Sequence, residues 1–343
     1  HPHSSLMKRF HTFMAMLCTA AVSAFAADST KVNYVPEIHG ALRTRIEMNT
    51  TQGEYRFQVR NARVSLGGNI ASWANYFVQT DLCDQGKMKI LDAWARIKPS
   101  AQLYFQAGQF RMPFGVETFR APNNYLFANR SFMGKQMCNY RAVGAKAAYT
   151  FAKLPLGIEA GLFSPNAIGD HTGWSKDVAF ASKLWYKLRN ATFTTGFSSI
   201  HPSLVRANLV DASVVWQAGR WHVEGEYMYE HYAHKAHKAA HSYVAFADYT
   251  MPVRAWKFNR LSFQGRFDGI TAHSSAIAGD DGLLITNNPA RNRATLGATI
   301  SYIHTKSIGL DLRVNYEKYF LHHSTAVTPD LADKAVLELV ARF

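Results

Sequence analysis

Leu310-Asp311-Leu312-Arg313-Val314-Asn315-Tyr316-Glu317 puts an apolar residue at every even number and a polar or charged one at every odd number. Successive side chains of a strand point to opposite faces, so this octet writes one greasy face and one wet one. The same hand recurs upstream. Leu261, Phe263, Gly265 and Phe267 alternate with Ser262, Gln264, Arg266 and Asp268, and Val223, Gly225, Tyr227 and Tyr229 alternate with Glu224, Glu226 and Met228. Sixteen such segments follow one another, near 37–48, 55–68, 73–82, 89–98, 102–110, 142–152, 156–164, 178–188, 191–199, 209–217, 220–230, 242–251, 258–268, 292–303, 308–319 and 334–343. In the second, Phe57 and Val59 sit in one phase and Val64 and Leu66 in the other, which predicts a bulge or register change near Asn61.

The joins between these segments alternate in length. Gly68 to Ser72, Pro99 to Ala101, Lys153 to Pro155, Arg189 to Asn190, Ala218 to Gly219, Pro252 to Lys257 and His304 to Ser307 are short, whereas the others are longer, up to the stretches 111–141 and 269–291. A strict short/long rhythm is what a closed membrane barrel needs, with tight turns at the periplasmic rim and roomy loops outside. Lipid offers no water to satisfy an open sheet edge, so the sheet must close, and termini on one side require an even strand count. The prediction is an all-β, 16-stranded antiparallel transmembrane β-barrel, apolar outside, charged inside and wide enough at that strand number to hold water.

Composition agrees. Of 343 residues, 48% are hydrophobic and 18% charged, which excludes a disordered chain, and the absence of repeated 18-residue apolar runs excludes a helical membrane bundle. Three cysteines are too few for a disulfide-stapled mini-domain. The start of the chain reads as something other than fold. Lys8 and Arg9 follow Met7, an apolar core runs from Thr12 to Val22, and Ala24-Phe25-Ala26 forms a small-residue cleavage site. Residues 7–26 are therefore expected to be a secretory signal peptide, with a buried N-terminal helix as the competing reading. Residues 1–6 are set aside as a leftover preceding the initiator, and 27–343 form the barrel domain. Leu17 before Cys18 argues against an acylated lipoprotein cysteine. Removing residues 1–26 takes two basic residues and no acidic one from the net charge of +14, leaving +12.

The chain ends on Phe343, with Ala335, Leu337, Leu339 and Ala341 on its face and Glu338 and Arg342 opposite. This resembles the aromatic carboxy-terminal signal of bacterial outer-membrane barrels. More specific pieces lie upstream. Phe57-Gln58-Val59-Arg60-Asn61-Ala62-Arg63-Val64 followed by Gly67, then Leu91-Asp92-Ala93-Trp94, then Gly108-Gln109-Phe110-Arg111-Met112-Pro113-Phe114-Gly115-Val116-Glu117, and finally Asn129-Arg130-Ser131 with Arg141-Ala142-Val143-Gly144, resemble in order the phosphate-selective porin O and P family. The resemblance implies a sixteen-stranded outer-membrane porin, commonly a homotrimer, whose third long outer loop folds into the lumen as the constriction.

Electrostatics can be read beside that. Residues 111–146, where such a loop would run, carry Arg111, Arg120, Arg130, Lys135, Arg141 and Lys146 against Glu117 alone. The wet phase of the first four strands adds Arg43, Arg45, Arg56, Arg60, Arg63 and Arg96, set against Glu47, Asp81 and Asp92. Basic rings lower the barrier for a negative solute in a narrow pore, and Arg forks suit phosphate and carboxylate oxygens. Arg111, Arg120, Arg130, Lys135 and Arg141 are the expected constriction and anion-binding residues; Arg43, Arg45, Arg56, Arg60, Arg63, Arg96 and Lys146 are the expected basic wall. The alternative is that these cations pair with facing carboxylates and hold the loop, leaving a nonselective pore.

The remaining features have plainer readings. Cys83 and Cys138 are expected in the second and third outer loops, where they either tether the constriction or stay as two unpaired thiols, the reading favoured here. His231, His234, His237 and His241 have spacings that could ligate a metal, but Lys235 and Lys238 among them favour a cationic, pH-sensitive mouth, and no metal is expected. His322 and His323 read the same way. Pro113, Gly115 and Pro122 shape the backbone where the fifth strand ends. The sequence has no G-x-S-x-G elbow, H-E-x-x-H, Walker loop or CxxC, so no enzyme activity or cofactor is expected; a barrel hydrolase with dispersed catalytic residues is the competing class. Export and inward arginines argue against a nucleic-acid partner. The expected partners are small anionic solutes, the lipid bilayer and lipopolysaccharide phosphates at the rim.

Overall fold

The computed structural model describes residues 32–138, 140–201, 205–275, 284–305 and 307–343. The anticipated leftover, signal peptide and Cys18 lie outside the described residues. Sixteen strands run in order: β1 (Glu37–Asn49), β2 (Glu54–Ala71), β3 (Ala74–Asp84), β4 (Lys87–Ile97), β5 (Leu103–Arg111), β6 (Arg141–Thr150), β7 (Leu156–Phe163) and β8 (Ala179–Leu188). They continue as β9 (Ala191–Ile200), β10 (Ala207–Ala218), β11 (Trp221–Tyr232), β12 (Ala240–Ala255), β13 (Phe258–Ile270), β14 (Arg291–His304), β15 (Gly309–Leu321) and β16 (Lys334–Arg342). Each pairs antiparallel with its sequence neighbours, and β1 pairs with β16 (Leu42 opposite Ala341), so the sheet closes into a barrel without a free edge. At the seam, Gly40 N–H donates to the Phe343 carbonyl at 2.6 Å. A Cβ at Gly40 would lie 2.1 Å from Phe343 Cζ, so the terminal ring packs where only glycine leaves room.

The polarity is inverted relative to a water-soluble domain. In β15, Val314 and Tyr316 are 52% and 44% exposed, while Arg313 and Glu317 are 3% and 0% exposed. Apolar side chains thus form the outer surface and charged ones the inner, as a lipid solvent outside requires. No helix among the described residues is long and apolar enough to cross a membrane; the crossing elements are strands.

The switch of phase in β2 resolves as predicted. Arg43 faces Asn61 while Thr44 faces Val59, leaving Arg60 as the extra, bulged residue. The loop rhythm needs one correction. The joins 50–53 and 85–86 lie at the same rim as the long loops 112–140, 164–178, 271–290 and 322–333, yet they are tight turns. Gln85 and Gly86 both take positive φ (53° and 88°), the conformation of a two-residue hairpin turn, so strict alternation fails there. In consequence Cys83 lies in β3 rather than in a loop, and His231 and His241 end β11 and begin β12, with only His234 and His237 between them. Cys83 and Cys138 are both free thiols.

Candidate functional site

Residues 112–140 leave β5 and return to β6 with three short helical turns, Glu117–Phe119, Pro122–Asn124 and Met133–Met137. The segment is rich in large apolar side chains, which in a polar lumen must find cover. Phe114, Phe127, Phe132, Met133 and Met137 are buried in one cluster with Phe163, Leu209, Met228, Phe246 and Ile270 of the wall. At about 2 kcal/mol for each fully buried large side chain, this patch is the main apolar attachment of the segment. The pocket in which Cys138 sits pushes its thiol pKa well above the ordinary value, chiefly through burial, so the thiol is inert.

The opposite side of the segment is held by charge. Five inward arginines of β1, β13, β14 and β15 donate to its carbonyls almost in succession. Arg313 bonds the Tyr125 and Phe127 oxygens (2.5 and 3.2 Å), Arg43 and Arg45 share that of Ala128 (2.6 and 2.7 Å), Arg266 takes Asn129 (2.8 Å) and Arg293 takes Arg130 (2.6 Å). The segment's N–H groups turn to acceptors on the same wall, Ala128 to Asn315 Oδ1 (2.7 Å) and Phe132 to Asp268 Oδ2 (2.9 Å). Glu338, fully buried, sits between Arg43, Arg45 and Arg313 at 2.8–2.9 Å. Charge-assisted hydrogen bonds of this kind hold a backbone firmly because both the charge and the carbonyl are removed from competing water.

Further along the wall, Glu226 of β11 accepts from Val116 N (2.9 Å) and Glu117 N (2.8 Å), and Arg120 pairs with Glu117 (2.7 Å) and Glu224 (2.5 Å). Burial opposes the Arg120 charge, but Glu117 and Glu224 outweigh it and hold its pKa above the ordinary guanidinium value.

A cavity of about 2000 Å³ opens on the loop-rim side of this segment. Among the described residues that line it, thirteen are Lys or Arg and three are Asp or Glu. Arg111, Arg130, Lys135 and Arg141 are there, together with Arg43, Arg45, Arg56, Arg60 and Arg63. Arg111 donates to Thr118 Oγ1 (3.2 Å), Arg130 to the Thr118 carbonyl (3.0 Å) and Arg141 to Asp92 (3.2 Å). Arg56 meets Glu47 and Asp330, Arg60 meets Asp84 (2.5 Å) and Arg63 meets Asp81 (3.2 Å). The Lys135 side chain is exposed to the cavity, and its ammonium makes no hydrogen bond or ion pair among the described residues. Its pKa is lowered, first by partial burial and then by Arg60, Arg293 and Lys334, with Asp330 opposing. Cations that depress one another mark a place where negative charge is wanted.

Three of the anticipated residues stand apart from this cavity. Arg120 is spent on Glu117 and Glu224, Arg96 donates to Gln106 (2.6 Å) and lies over the Tyr104 ring (4.0 Å), and Lys146 pairs with Glu159 (2.9 Å). Sequence reasoning missed Lys89, Arg291, Arg293 and Lys334, which do line it. The signal is present for Arg291 and Arg293, which occupy the charged phase of the strand that contains Leu296, whereas Lys89 is out of phase with Asp92 and Arg96 because the register shifts between them.

Among the described residues no group of three or more His, Cys, Asp or Glu is arranged to hold a metal ion. His237 Nε2 contacts Thr286 Oγ1 (2.7 Å) and His241 meets the Tyr227 hydroxyl, so these rings are engaged in separate local contacts.

A closed barrel of sixteen antiparallel strands, greasy outside and ionic within, defines a porin, a channel of the Gram-negative outer membrane. The chain belongs to the phosphate-selective porin O and P family, which matches residues 38–274. No curated protein matches it. Its fold is similar to that of an anion-selective porin from Comamonas acidovorans (10% identity, TM-score 0.63, covering 91% of this chain and 100% of the other). It is also similar to OmpF of Salmonella typhi in complex with daunomycin (14%, 0.62, 90% and 98%) and to the trimer form of OmpT of Vibrio cholerae (11%, 0.60, 90% and 99%).

Proposed function

We propose that this porin prefers anions, phosphate or similar small ones among them, and that it passes them down their gradient through a constriction made by residues 112–140. The observation that carries the reading is the excess of basic over acidic residues around the 2000 Å³ cavity, ten to three even when Arg43, Arg45 and Arg293, which hold the segment's backbone, are set aside from the thirteen. Lys135, Arg111, Arg130 and Arg141, with Arg60, Arg291 and Lys334, are the cations an entering solute meets. Arg43 and Arg45 have the different task of fixing the segment's backbone and Arg120 that of tying it to Glu224 of the wall, and their charge reaches the solute only as background field. A fixed, immobile set of cations lowers the barrier for an anion without any chemical step, so neither cofactor nor energy input is needed. Assembly as a homotrimer is supported by the likeness to OmpT, described in a trimer form. The net charge of +12 over residues 27–343 suits a rim that meets lipopolysaccharide phosphates.

The test is the zero-current potential across a planar bilayer holding the detergent-purified channel in a tenfold KCl gradient. A potential of the sign set by chloride is expected, and chloride current should fall when phosphate is added as a competing anion. A potential set by potassium overturns the reading and leaves a channel in which ion pairing has cancelled the inner charge.

A further inference from the structure

Two cavities of unlike charge lie against the 112–140 segment, one toward each rim. Tyr125 lines both. On the turn-rim side lies a second cavity of about 500 Å³, bordered by Asn124 and Leu126 of the segment and by residues at the short turns such as Gln217 and Arg220. Its described charged lining is nearly balanced: Arg220, Arg260 and Arg313 against Asp248 and Asp311, with His222 and His304 beside them. The loop-rim chamber, by contrast, carries a formal excess of ten positive charges among its described lining residues, and of seven when Arg43, Arg45 and Arg293, paired with Glu338 and Asp268, are set aside. The charge therefore falls from strongly positive to near neutral across the thickness of one loop.

We infer that this step makes the channel rectify: at equal and opposite voltages, it carries more current when anions are driven from the loop rim to the turn rim than when they are driven back. The inference rests on the proposed anion preference and adds a direction to it. The physical reason is a mismatch in which ion carries the current. In the basic chamber anions carry nearly all of it, whereas in the neutral chamber anions and cations share it. Anions pushed out of the basic chamber reach the junction faster than they leave it, so salt accumulates there and resistance falls. With the voltage reversed, the junction is drained of salt and resistance rises. Nothing moves and nothing is pumped; the effect vanishes at zero driving force.

Current–voltage curves of single channels in symmetric KCl test this. Sidedness is assigned on a Cys83→Ser background carrying Trp174→Cys, a fully exposed position in the loop-rim segment 164–178, by adding a bulky membrane-impermeant thiol reagent to one bath. At 0.1 M KCl, where the screening length is about 10 Å, the current at 100 mV in the favoured sense should exceed the reverse current by roughly 1.5-fold or more. At 1 M, where screening shortens to about 3 Å, the ratio should fall to about 1. Gln217→Glu with Arg220→Glu, at two exposed positions beside a short turn, turns the second chamber negative and should about double the 0.1 M ratio. A linear curve at 0.1 M in a channel whose zero-current potential is anionic overturns the inference and leaves anion preference standing. So does rectification in the opposite sense, or rectification that survives 1 M salt, which would mean a moving part. A cationic zero-current potential overturns the anion preference itself.

Discussion

Two populations of cations face the lumen, and they do opposite things. Arg43, Arg45, Arg266, Arg293 and Arg313 are buried and each ends on a backbone carbonyl of the 125–130 stretch, with Glu338 or Asp268 shared among them. Lys135, a few residues further along the same segment, is exposed to the cavity, and its ammonium has no hydrogen-bond or ion-pair partner among the described residues. Arg and Lys divide accordingly. The planar fork satisfies several acceptors at once and suits burial, while a single ammonium on a flexible stem suits a surface that meets a passing ion. Basic character alone therefore says little about selectivity; what matters is whether the charge is already answered by the protein.

The comparison can be broken first on the clamping side, where the largest effect is expected. Glu338→Ala leaves three arginines facing one another in a buried site and should cost about 3–5 kcal/mol, the range for deleting one partner of a buried ionic network. Thermal unfolding in detergent, followed by the gel shift between folded and unfolded barrel, checks this; a melting curve like that of the parent would show that the loop is held by its apolar patch alone. Arg120→Ala should act next in size. It frees Glu117 and Glu224 from their common partner and should raise open-channel current noise while leaving the sign of selectivity unchanged. Single-channel recording decides, and a reversal of ion preference in this variant would move Arg120 from the clamp to the selective surface.

A third expectation concerns acid and the loop 271–290. His273 is buried and exchanges backbone hydrogen bonds with Asn288 (3.1 and 3.2 Å); burial pushes its imidazole down to about 4 from an ordinary 6.5. The unfolded loop therefore binds a proton that the folded loop refuses. The loop's stability is complete above pH 6.5 and falls as the pH drops from there toward 4. Hydrogen exchange of residues 271–275 and 284–290, corrected for intrinsic rates, should show roughly thirtyfold more opening at pH 5 than at pH 7.5. His273→Phe should remove that pH dependence, and equal protection at both pH values would contradict it.

Much of the barrel was legible because its solvent is legible. Lipid on one side and charge on the other impose a two-residue period on every strand, and the period survives even the bulge at Arg60, where the switch of phase between Val59 and Val64 announced it. The tight turns at 50–53 and 85–86 were not foreseen, because such turns are set by local φ, positive at Gly53, Gln85 and Gly86, rather than by the pattern on either side. The site was legible only in part. Its cations could be found by phase, but their partners could not: Arg120 meets Glu224 across 104 residues and Arg43 meets Glu338 across 295. Such pairs exist only because the sheet closes and the loop crosses it, and no local pattern encodes which arginine will be met by a carboxylate. Hence Arg120 was grouped with Lys135, although the two lie on different sides of the division described above.

The division between answered and unanswered charge is tested most directly by the zero-current potential of Lys135→Glu, measured beside the parent channel in the same tenfold KCl gradient. Lys135 lines the cavity, and its ammonium forms neither a hydrogen bond nor an ion pair among the described residues. The potential should move toward the potassium side while melting temperature and conductance stay near those of the parent. An unchanged potential would contradict the account, because selectivity would then reside in the buried arginines that hold the loop.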